Sequence, residues 1–280
     1  MSEESIPEND SVQIFYFSGT GNSLRIAELL SEKLDGEIIS IPSLKDQKKV
    51  IPRSGSFGIV FPVYYADLPV IVKRFANKLE GIGDKYIFAV ATYGGDTGKS
   101  LKTLSEIIKS RGGKLSGMYE VHMPQNGFKK PVENIDKIIR NANMRMDIVS
   151  EKIKSEYSGR FIGYKIKSVL LIPLYFLLGS LTKKGIAELS GSDKNMDIDE
   201  LIGMADKSFT VNEKCNYCGL CERICPANNI KLEKDGPVWL HKCENCLACY
   251  NFCPQMAIET KIANKGYRYK YPGIKIDKML

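Results

Sequence analysis

Between residues 12 and 155, apolar runs of strand length alternate with longer segments whose apolar residues recur at helical spacing. The short runs predict buried strands, and the periodic segments predict helices that cover both faces of one sheet. This alternation is typical of a doubly wound parallel α/β sheet, for which we expect the strand order 2-1-3-4-5. The predicted strands are 12–17, 37–41, 57–61, 86–91 and 115–121, and the predicted helices are 22–34, 69–79, 99–110 and 134–155.

The pattern changes after residue 155. A stretch that is apolar all round and contains Pro173 runs from Val169 to Leu181. Its 13 residues are too few to cross a bilayer, which needs about 20. We interpret the stretch as a helix buried between two domains. The alternative is shallow insertion into a membrane surface, with the flanking lysines facing lipid phosphates. We therefore do not expect membrane contact. If it occurs, the alternative places it at residues 169–181.

All eight cysteines lie between Cys215 and Cys253, in two copies of the pattern C-x2-C-x2-C-x3-C-P that are 28 positions apart. This spacing is typical of two 4Fe-4S clusters, in which three successive cysteines bind one cluster and the fourth binds the other. Zinc is the alternative, but zinc sites usually present separated C-x2-C pairs. The sequence therefore predicts one cluster on Cys215, Cys218, Cys221 and Cys253, and a second on Cys243, Cys246, Cys249 and Cys225.

The loop after the first predicted strand is rich in glycine and hydroxyl groups and opens a helix. N–H groups at a helix start favour an anion, and small residues let the backbone approach it closely. The loop has no lysine or arginine, which argues against a Walker A loop, and it lacks G-x-G-x-x-G, the dinucleotide fingerprint. A terminal monophosphate fits these residues, and the alternative is a plain serine-capped turn. The loop consists of Ser18, Gly19, Thr20, Gly21, Asn22 and Ser23.

Two later segments follow the third and fourth strands, at the carboxyl edge where open sheets bind ligands. Both contain tyrosines, whose rings can stack on a flat ring system. Combined with the phosphate loop, they predict a flavin mononucleotide (FMN) site. The candidate residues are Pro62, Tyr64 and Tyr65 after the third strand, and Thr92, Tyr93, Gly94 and Gly95 after the fourth.

These motifs carry a resemblance to known families. The cysteine segment resembles a bacterial-type ferredoxin with two 4Fe-4S clusters, and the first half resembles flavodoxin. The order FSGTGNS, PVYY, TYGG and double cysteine motif is similar to the EFR family of ferredoxins, in which a flavodoxin-like domain precedes a two-cluster ferredoxin. The resemblance implies FMN at Ser18–Ser23, Tyr64 and the 92–95 loop. The flavodoxin loop often has Thr where this chain has Ser23, which keeps the hydroxyl.

The resemblance and the motifs together predict four segments. They are a flavodoxin-like FMN domain at 1–155, a helical linker at 156–205, a small α+β ferredoxin-like domain at 206–262 and a basic tail at 263–280. We interpret the tail as solvated, and docking to an acidic partner is the alternative. The polar, acidic first residues do not predict a signal peptide, so we expect the cytoplasm, where thiols stay reduced.

The net charge of +7 does not predict nucleic-acid binding, because two clusters with their thiolates would remove about four positive charges and a flavin phosphate about two more. We expect an electron-transfer protein that couples one-electron and two-electron redox partners, themselves proteins. One alternative is a pure electron carrier without a small-molecule substrate, favoured because no nicotinamide motif or acid–base pair is present. Another is a redox sensor whose flavodoxin-like domain is empty.

Overall fold

The computed structural model describes residues 11–126, 133–161 and 172–279. Six parallel strands form one sheet in the order β2-β1-β3-β4-β5-β6, which confirms the predicted flavodoxin-like fold and adds one strand to its edge. The strands are β1 Gln13–Tyr16, β2 Glu37–Ser40, β3 Ser56–Pro62, β4 Tyr86–Tyr93, β5 Leu115–His122 and β6 Gly159–Phe161. The helices between them are α1 Asn22–Leu34, α2 Val70–Ala76, α3 Ser100–Ser110 and α4 Ile135–Lys154.

The sheet forms because its central strands are apolar on both faces. Residues 57–61 of β3 and 87–91 of β4 are buried without an exposed position, as expected for strands covered by helices on both sides. Gly58 pairs with Phe88 across these strands. A Cβ at Gly58 would overlap the Phe88 ring, so glycine is required here for close packing.

The sixth strand was not predicted. β6 pairs with β5 in parallel, with Gly159 opposite Gly117, and it lies in the segment that we expected to be a helical linker. The three residues of β6 include one apolar side chain and so have no recognisable strand pattern. This edge strand forms because it pairs with β5, which sequence periodicity does not indicate. The predicted domain boundaries stay predictions.

The cysteine-containing part is a small α+β structure with two two-stranded antiparallel sheets, β7–β10 and β8–β9. One buried cluster of its core consists of Phe209, Leu247, Tyr250, Ile258 and Ala263, with Cys221, Cys249 and Cys253 packed against it. Its elements are α5 Ile172–Ser190, α6 Ile198–Met204, β7 Phe209–Val211, α7 Leu220–Arg223, β8 Ile230–Glu233, β9 Gly236–Trp239, α8 Ala248–Phe252 and β10 Ile258–Thr260.

The apolar stretch 169–181 falls partly outside the described residues, which resume at Ile172. Helix α5 continues past the stretch and its following lysines to Ser190. No helix in the described ranges combines the length and the apolar character that a membrane crossing requires.

Internal contacts divide the chain into two compact units. We call them the sheet unit, which comprises residues 1–17, 23–123 and 136–164, and the cysteine unit, which comprises 18–22, 124–135 and 165–280. Residues 18–22, which connect β1 to α1, belong to the cysteine unit.

Candidate cofactor sites

Two small cavities lie in the cysteine unit, and each is lined by four cysteines. In each cavity, three cysteines are the first three of one motif and the fourth is the last cysteine of the other motif. The structure therefore brings together the two groups that the spacing pairs. The first cavity is lined by Cys225, Cys243, Cys246 and Cys249, and the second by Cys215, Cys218, Cys221 and Cys253.

The two cysteine loops repeat the same backbone conformation. Left-handed residues with positive φ occur at Tyr217, Gly219 and Asn228, and they recur 28 positions later at Asn245, Leu247 and Met256. Bulky residues rarely adopt this conformation, which costs about 1–3 kcal/mol and persists only where the surroundings enforce it. Helices α7 and α8 also begin 28 positions apart, at Leu220 and Ala248. The second loop is thus a structural copy of the first.

Backbone N–H groups point at cysteine sulfurs in corresponding places of the two loops. The N–H of Asn229 donates to Cys225 Sγ at 3.2 Å, and 28 positions later the N–H of Ala257 donates to Cys253 Sγ at 3.3 Å. The N–H of Asn245 also donates to Cys243 Sγ, at 3.3 Å. Such hydrogen bonds stabilise thiolates and tune the potential of an iron–sulfur cluster.

The cysteines differ in exposure. Cys218 is exposed, whereas Cys246 is 7% exposed. Burial raises the pKa of the Cys221 thiol to about 11 and that of Cys246 to about 12. Binding of iron must therefore displace protons, which a cationic metal does readily. Four sulfur donors with N–H support fit a 4Fe-4S cluster in each cavity.

A buried polar group behind the first cavity was not predicted. Asp206 is 1% exposed, and its carboxylate accepts hydrogen bonds from Asn229 Nδ2 at 2.8 Å and the His241 N–H at 3.0 Å. The Asn229 side chain in turn accepts from the N–H of Lys242. Asp206 thus ties the segment that follows the first cysteine motif to the segment that precedes the second. Its position gave no sequence signal, because a single aspartate in a polar turn is ordinary.

The phosphate-loop candidates Ser18–Asn22 lie in the cysteine unit. Ser18 Oγ accepts a hydrogen bond from the Gly21 N–H at 3.0 Å. Thr20 is 4% exposed and Asn22 is 9% exposed. Gly21 has a φ of +96°, which glycine adopts without strain. The buried Thr20 hydroxyl and the N–H groups at the start of α1 are donors that a phosphate monoester accepts, so the loop fits the phosphate of FMN.

The expected solvated tail is instead packed at its aromatic residues. Tyr269 is 5% exposed, and the Arg268 guanidinium lies 3.9 Å from the Tyr250 ring centroid and donates to the Ile258 carbonyl at 2.8 Å. Its lysines suggested a solvated segment, but the buried Tyr269 lies between the charged residues and removes a large apolar area from water.

Ser23 and Thr92 meet in the sheet unit, although 69 positions separate them in sequence. Their hydroxyls lie 2.8 Å apart, and Thr92 Oγ1 also donates to the Phe61 carbonyl at 3.4 Å. Both side chains are buried. This contact fixes the start of α1 against the carboxyl ends of β3 and β4, where the flavin was expected.

The tyrosines after β3 and β4 differ in their surroundings. Tyr64 is buried, with its ring 6.2 Å from that of Phe17 in an edge-on arrangement. Tyr65 and Tyr93 are half-buried. Tyr65 and Ala66 both have positive φ, at +51° and +56°, which is strained for residues with a side chain and is typical of binding loops. Of the two glycines that follow Tyr93, Gly94 is half-buried and Gly95 is exposed. Tyr65 and Tyr93 are thus more accessible than Tyr64.

A buried acidic group in the sheet unit was also not predicted. Glu120 is 5% exposed, and its Oε1 accepts hydrogen bonds from Arg160 Nη2 at 2.6 Å and from Thr97 Oγ1 at 3.1 Å. Arg145 donates to the Glu120 carbonyl at 2.7 Å. The ion pair of Glu120 with Arg160 ties the end of β5 to β6. Sequence reasoning could not find it, because Arg160 lies in the strand that no pattern indicated.

Comparison with known proteins supports the cysteine motif directly. Residues 210–231, which contain the first motif, match the model of the 4Fe-4S binding domain. Proteins described as "ferredoxin-like protein in nif region", from Trichormus variabilis and Trichormus azollae, are each 34% identical over 50 residues. These matches cover 17% of this chain and 43% of each relative, so the chain matches less than half the length of these curated relatives.

Solved structures of similar fold cover about half of this chain. Streptococcus pneumonia TIGR4 flavodoxin is 16% identical and matches 52% of this chain and 98% of its own, with a TM-score of 0.38. A flavodoxin from the domain Archaea is 17% identical and matches 51% and 99%, with a TM-score of 0.34. Rubredoxin oxygen:oxidoreductase from Desulfovibrio gigas is 15% identical and matches 53% and 37%, with a TM-score of 0.37. The fold is shown by the strand order of the sheet, and the sequence match identifies a 4Fe-4S binding domain at residues 210–231.

Proposed function

We propose that this protein is an electron-transfer protein that binds two 4Fe-4S clusters and one FMN. The observation that carries the proposal is the pair of four-cysteine cavities whose loops have the same left-handed residues at the same spacing. The first loop matches a 4Fe-4S binding domain. A loop with the same conformation and the same ligand set is expected to hold the same group.

The cysteines would bind crosswise, as their arrangement around the cavities suggests. Cys225 completes the site of the second motif, and Cys253 completes the site of the first. Four cysteines are also a ligand set for zinc, but no group of three or more Cys, His, Asp or Glu side chains among the described residues is placed to hold a single metal ion. Crosswise sets with a trailing Cys-Pro favour the cubane, because zinc sites draw on compact pairs.

The flavin would bind at the carboxyl edge of the sheet, as in other doubly wound folds. The proposal assigns its phosphate to the Ser18–Ser23 loop and its ring to the strained Tyr65 segment and the Tyr93 segment. The shape of the Tyr65 and Tyr93 segments would be set by Pro62, Tyr64 and Thr92. A bound FMN accepts electrons singly or in pairs, and each cluster passes one. The residues of this chain supply placement, hydrogen bonds and exclusion of water.

The expected partners are redox proteins, and the site suggests no small-molecule substrate. Cys218 is the exposed ligand, and Tyr217 beside it is 51% exposed. A partner protein could approach this cavity most closely there. The proposal keeps the cytoplasm as the compartment, because eight free thiols stay available for iron in a reducing environment.

The flavin assignment is tested by Thr20→Val, which keeps the side-chain shape and removes the hydroxyl. A hydrogen bond to a charged phosphate contributes about 1.5–3 kcal/mol, so the FMN dissociation constant should rise about tenfold to a hundredfold. Riboflavin lacks the phosphate and should bind both forms equally weakly. Thr210→Val, at an exposed position of β7, is the matched control and should leave FMN binding unchanged.

Flavin fluorescence titration of the cluster-containing protein gives these constants. Equal FMN affinity in Thr20→Val and wild type would place the phosphate elsewhere. A wild-type protein that binds no flavin at all would leave the redox-sensor alternative, with function residing in the cysteine unit alone.

A further inference from the structure

The C-terminal tail folds over the phosphate-loop candidates within the cysteine unit. The Tyr271 N–H donates to the Thr20 carbonyl at 2.8 Å. The Tyr269 hydroxyl donates to Asn22 Oδ1 at 2.7 Å. A Cβ at Gly21 would lie 2.7 Å from Ile274 Cγ1. Three consecutive loop residues are thus in contact with the tail, and the space beside Gly21 is filled by it.

The other side of Tyr269 is fixed to the second cysteine motif. Its N–H donates to Asn251 Oδ1 at 2.7 Å, and Asn251 lies in α8 between Cys249 and Cys253. Asn251 Nδ2 donates to the carbonyls of Leu247 at 2.9 Å and Asn126 at 3.0 Å. Asn126 Nδ2 donates in turn to the Cys246 carbonyl at 3.3 Å. A continuous chain of hydrogen bonds therefore leads from the cysteine loop to Tyr269.

The hydrogen bond between Tyr269 and Asn22 has one defined direction. Burial raises the pKa of Tyr269, so its hydroxyl stays protonated and donates. The Asn22 side chain is held at both ends, because its Nδ2 donates to the Pro124 carbonyl at 2.8 Å. Both side chains are buried. Loss of the donor would leave the Asn22 oxygen unsatisfied, which costs more than loss of an exposed hydrogen bond.

We propose that Tyr269 is a positioning residue for FMN, because it holds Asn22 at the first residue of α1 and so fixes the N–H groups of the phosphate loop. The inference rests on the proposed function. A loop ordered before binding does not have to be ordered by the ligand, and affinity rises accordingly. Tyr269 contacts no part of the flavin in this account, and it acts through Asn22.

The experiment compares Tyr269→Phe with Tyr267→Phe in the full-length, cluster-loaded protein. Tyr267 is a tail tyrosine whose hydroxyl donates to the Gln125 carbonyl at 3.2 Å, so it is a matched control that loses a tail hydrogen bond without removing a partner of any phosphate-loop residue. We expect Tyr269→Phe to raise the FMN dissociation constant about threefold to tenfold. Riboflavin affinity should stay the same, and Tyr267→Phe should match wild type for both flavins.

Hydrogen exchange without flavin gives a second, independent readout. Peptides that cover residues 17–23 should exchange faster in Tyr269→Phe and at the wild-type rate in Tyr267→Phe. Equal loss of FMN and riboflavin affinity, or the same change in both variants, would overturn the inference, since a general loosening would produce that result. If the wild-type protein binds no FMN, the proposed function is wrong. Unchanged hydrogen exchange of the loop in Tyr269→Phe would then overturn the inference too. Faster exchange would still show that Tyr269 holds the loop.

Discussion

The two units reach stability by different means. The sheet unit has long apolar strands, and β3 and β4 alone contribute two uninterrupted buried runs. In the cysteine unit, a cluster of buried residues has three cysteines packed against it, beside two cavities that are each lined by four cysteines. An apolar core stabilises a fold without help, whereas a small core depends on bound metal. We therefore expect the sheet unit to fold from its side chains alone and the cysteine unit to fold only with bound metal.

Removal of iron should have the largest effect and should separate the two units. Chelation under anaerobic conditions should abolish hydrogen-exchange protection across residues 206–262 and leave protection of the sheet strands near its original level, because only the cysteine unit depends on the metal. The loop 18–22 should lose protection with the cysteine unit. Exchange monitored by mass spectrometry checks all three regions. Equal loss in β3 and β4 would show that the sheet unit is not independent.

Substitution of the two trailing cysteines should separate the two cavities. Cys225→Ser should lower the iron content by up to about four atoms, from the site of Cys243, Cys246 and Cys249. Cys253→Ser should do the same at the site of Cys215, Cys218 and Cys221. Each variant is the control for the other. Electron paramagnetic resonance of the reduced proteins identifies the surviving signal, and damage confined to each cysteine's own motif would contradict the crosswise arrangement.

Overpacking of the sheet should affect only the sheet unit. In Gly58→Ala the new methyl group would meet the Phe88 ring, so the free energy of unfolding should fall by about 1–3 kcal/mol or more. Gly55→Ala is the matched control, because a Cβ at Gly55 would have no other atom within 4 Å. Chemical denaturation followed by circular dichroism gives both values. An equal effect of the two substitutions would mean that the strands repack freely around Phe88.

Much of this organisation follows from the sequence, for different reasons in the two units. Buried strands such as β3 and β4 are long enough for periodicity to locate them within one or two residues. Cysteine spacing grouped the ligands as the cavities do, because ligand geometry constrains the chain locally. Strand β6 and the packed tail were missed, since Arg160 and Tyr269 act through partners distant in sequence. The contacts of Asn22 could not be anticipated either, because they depend on residues more than 100 positions away.

The smallest expected effect concerns the loop itself. Ser18→Ala removes the acceptor of the Gly21 N–H, and a hydrogen bond of this kind contributes about 0.5–1.5 kcal/mol. FMN affinity should therefore fall about twofold to tenfold, while denaturation of the sheet unit should be unchanged. Ser116→Ala is a suitable control, because Ser116 is remote from the loop in sequence and its hydroxyl donates to the nearby Lys114 carbonyl. A large loss of sheet stability in Ser18→Ala would show that the loop supports the fold rather than a ligand.

The most direct measurement is quantitation of iron, acid-labile sulfide, zinc and flavin in protein purified without oxygen. The account predicts about eight iron atoms and eight sulfides per chain, as expected for two 4Fe-4S clusters, together with one FMN and no zinc. Zinc without labile sulfide, or four irons with no flavin, would contradict the claim that both cysteine cavities and the phosphate loop hold redox cofactors.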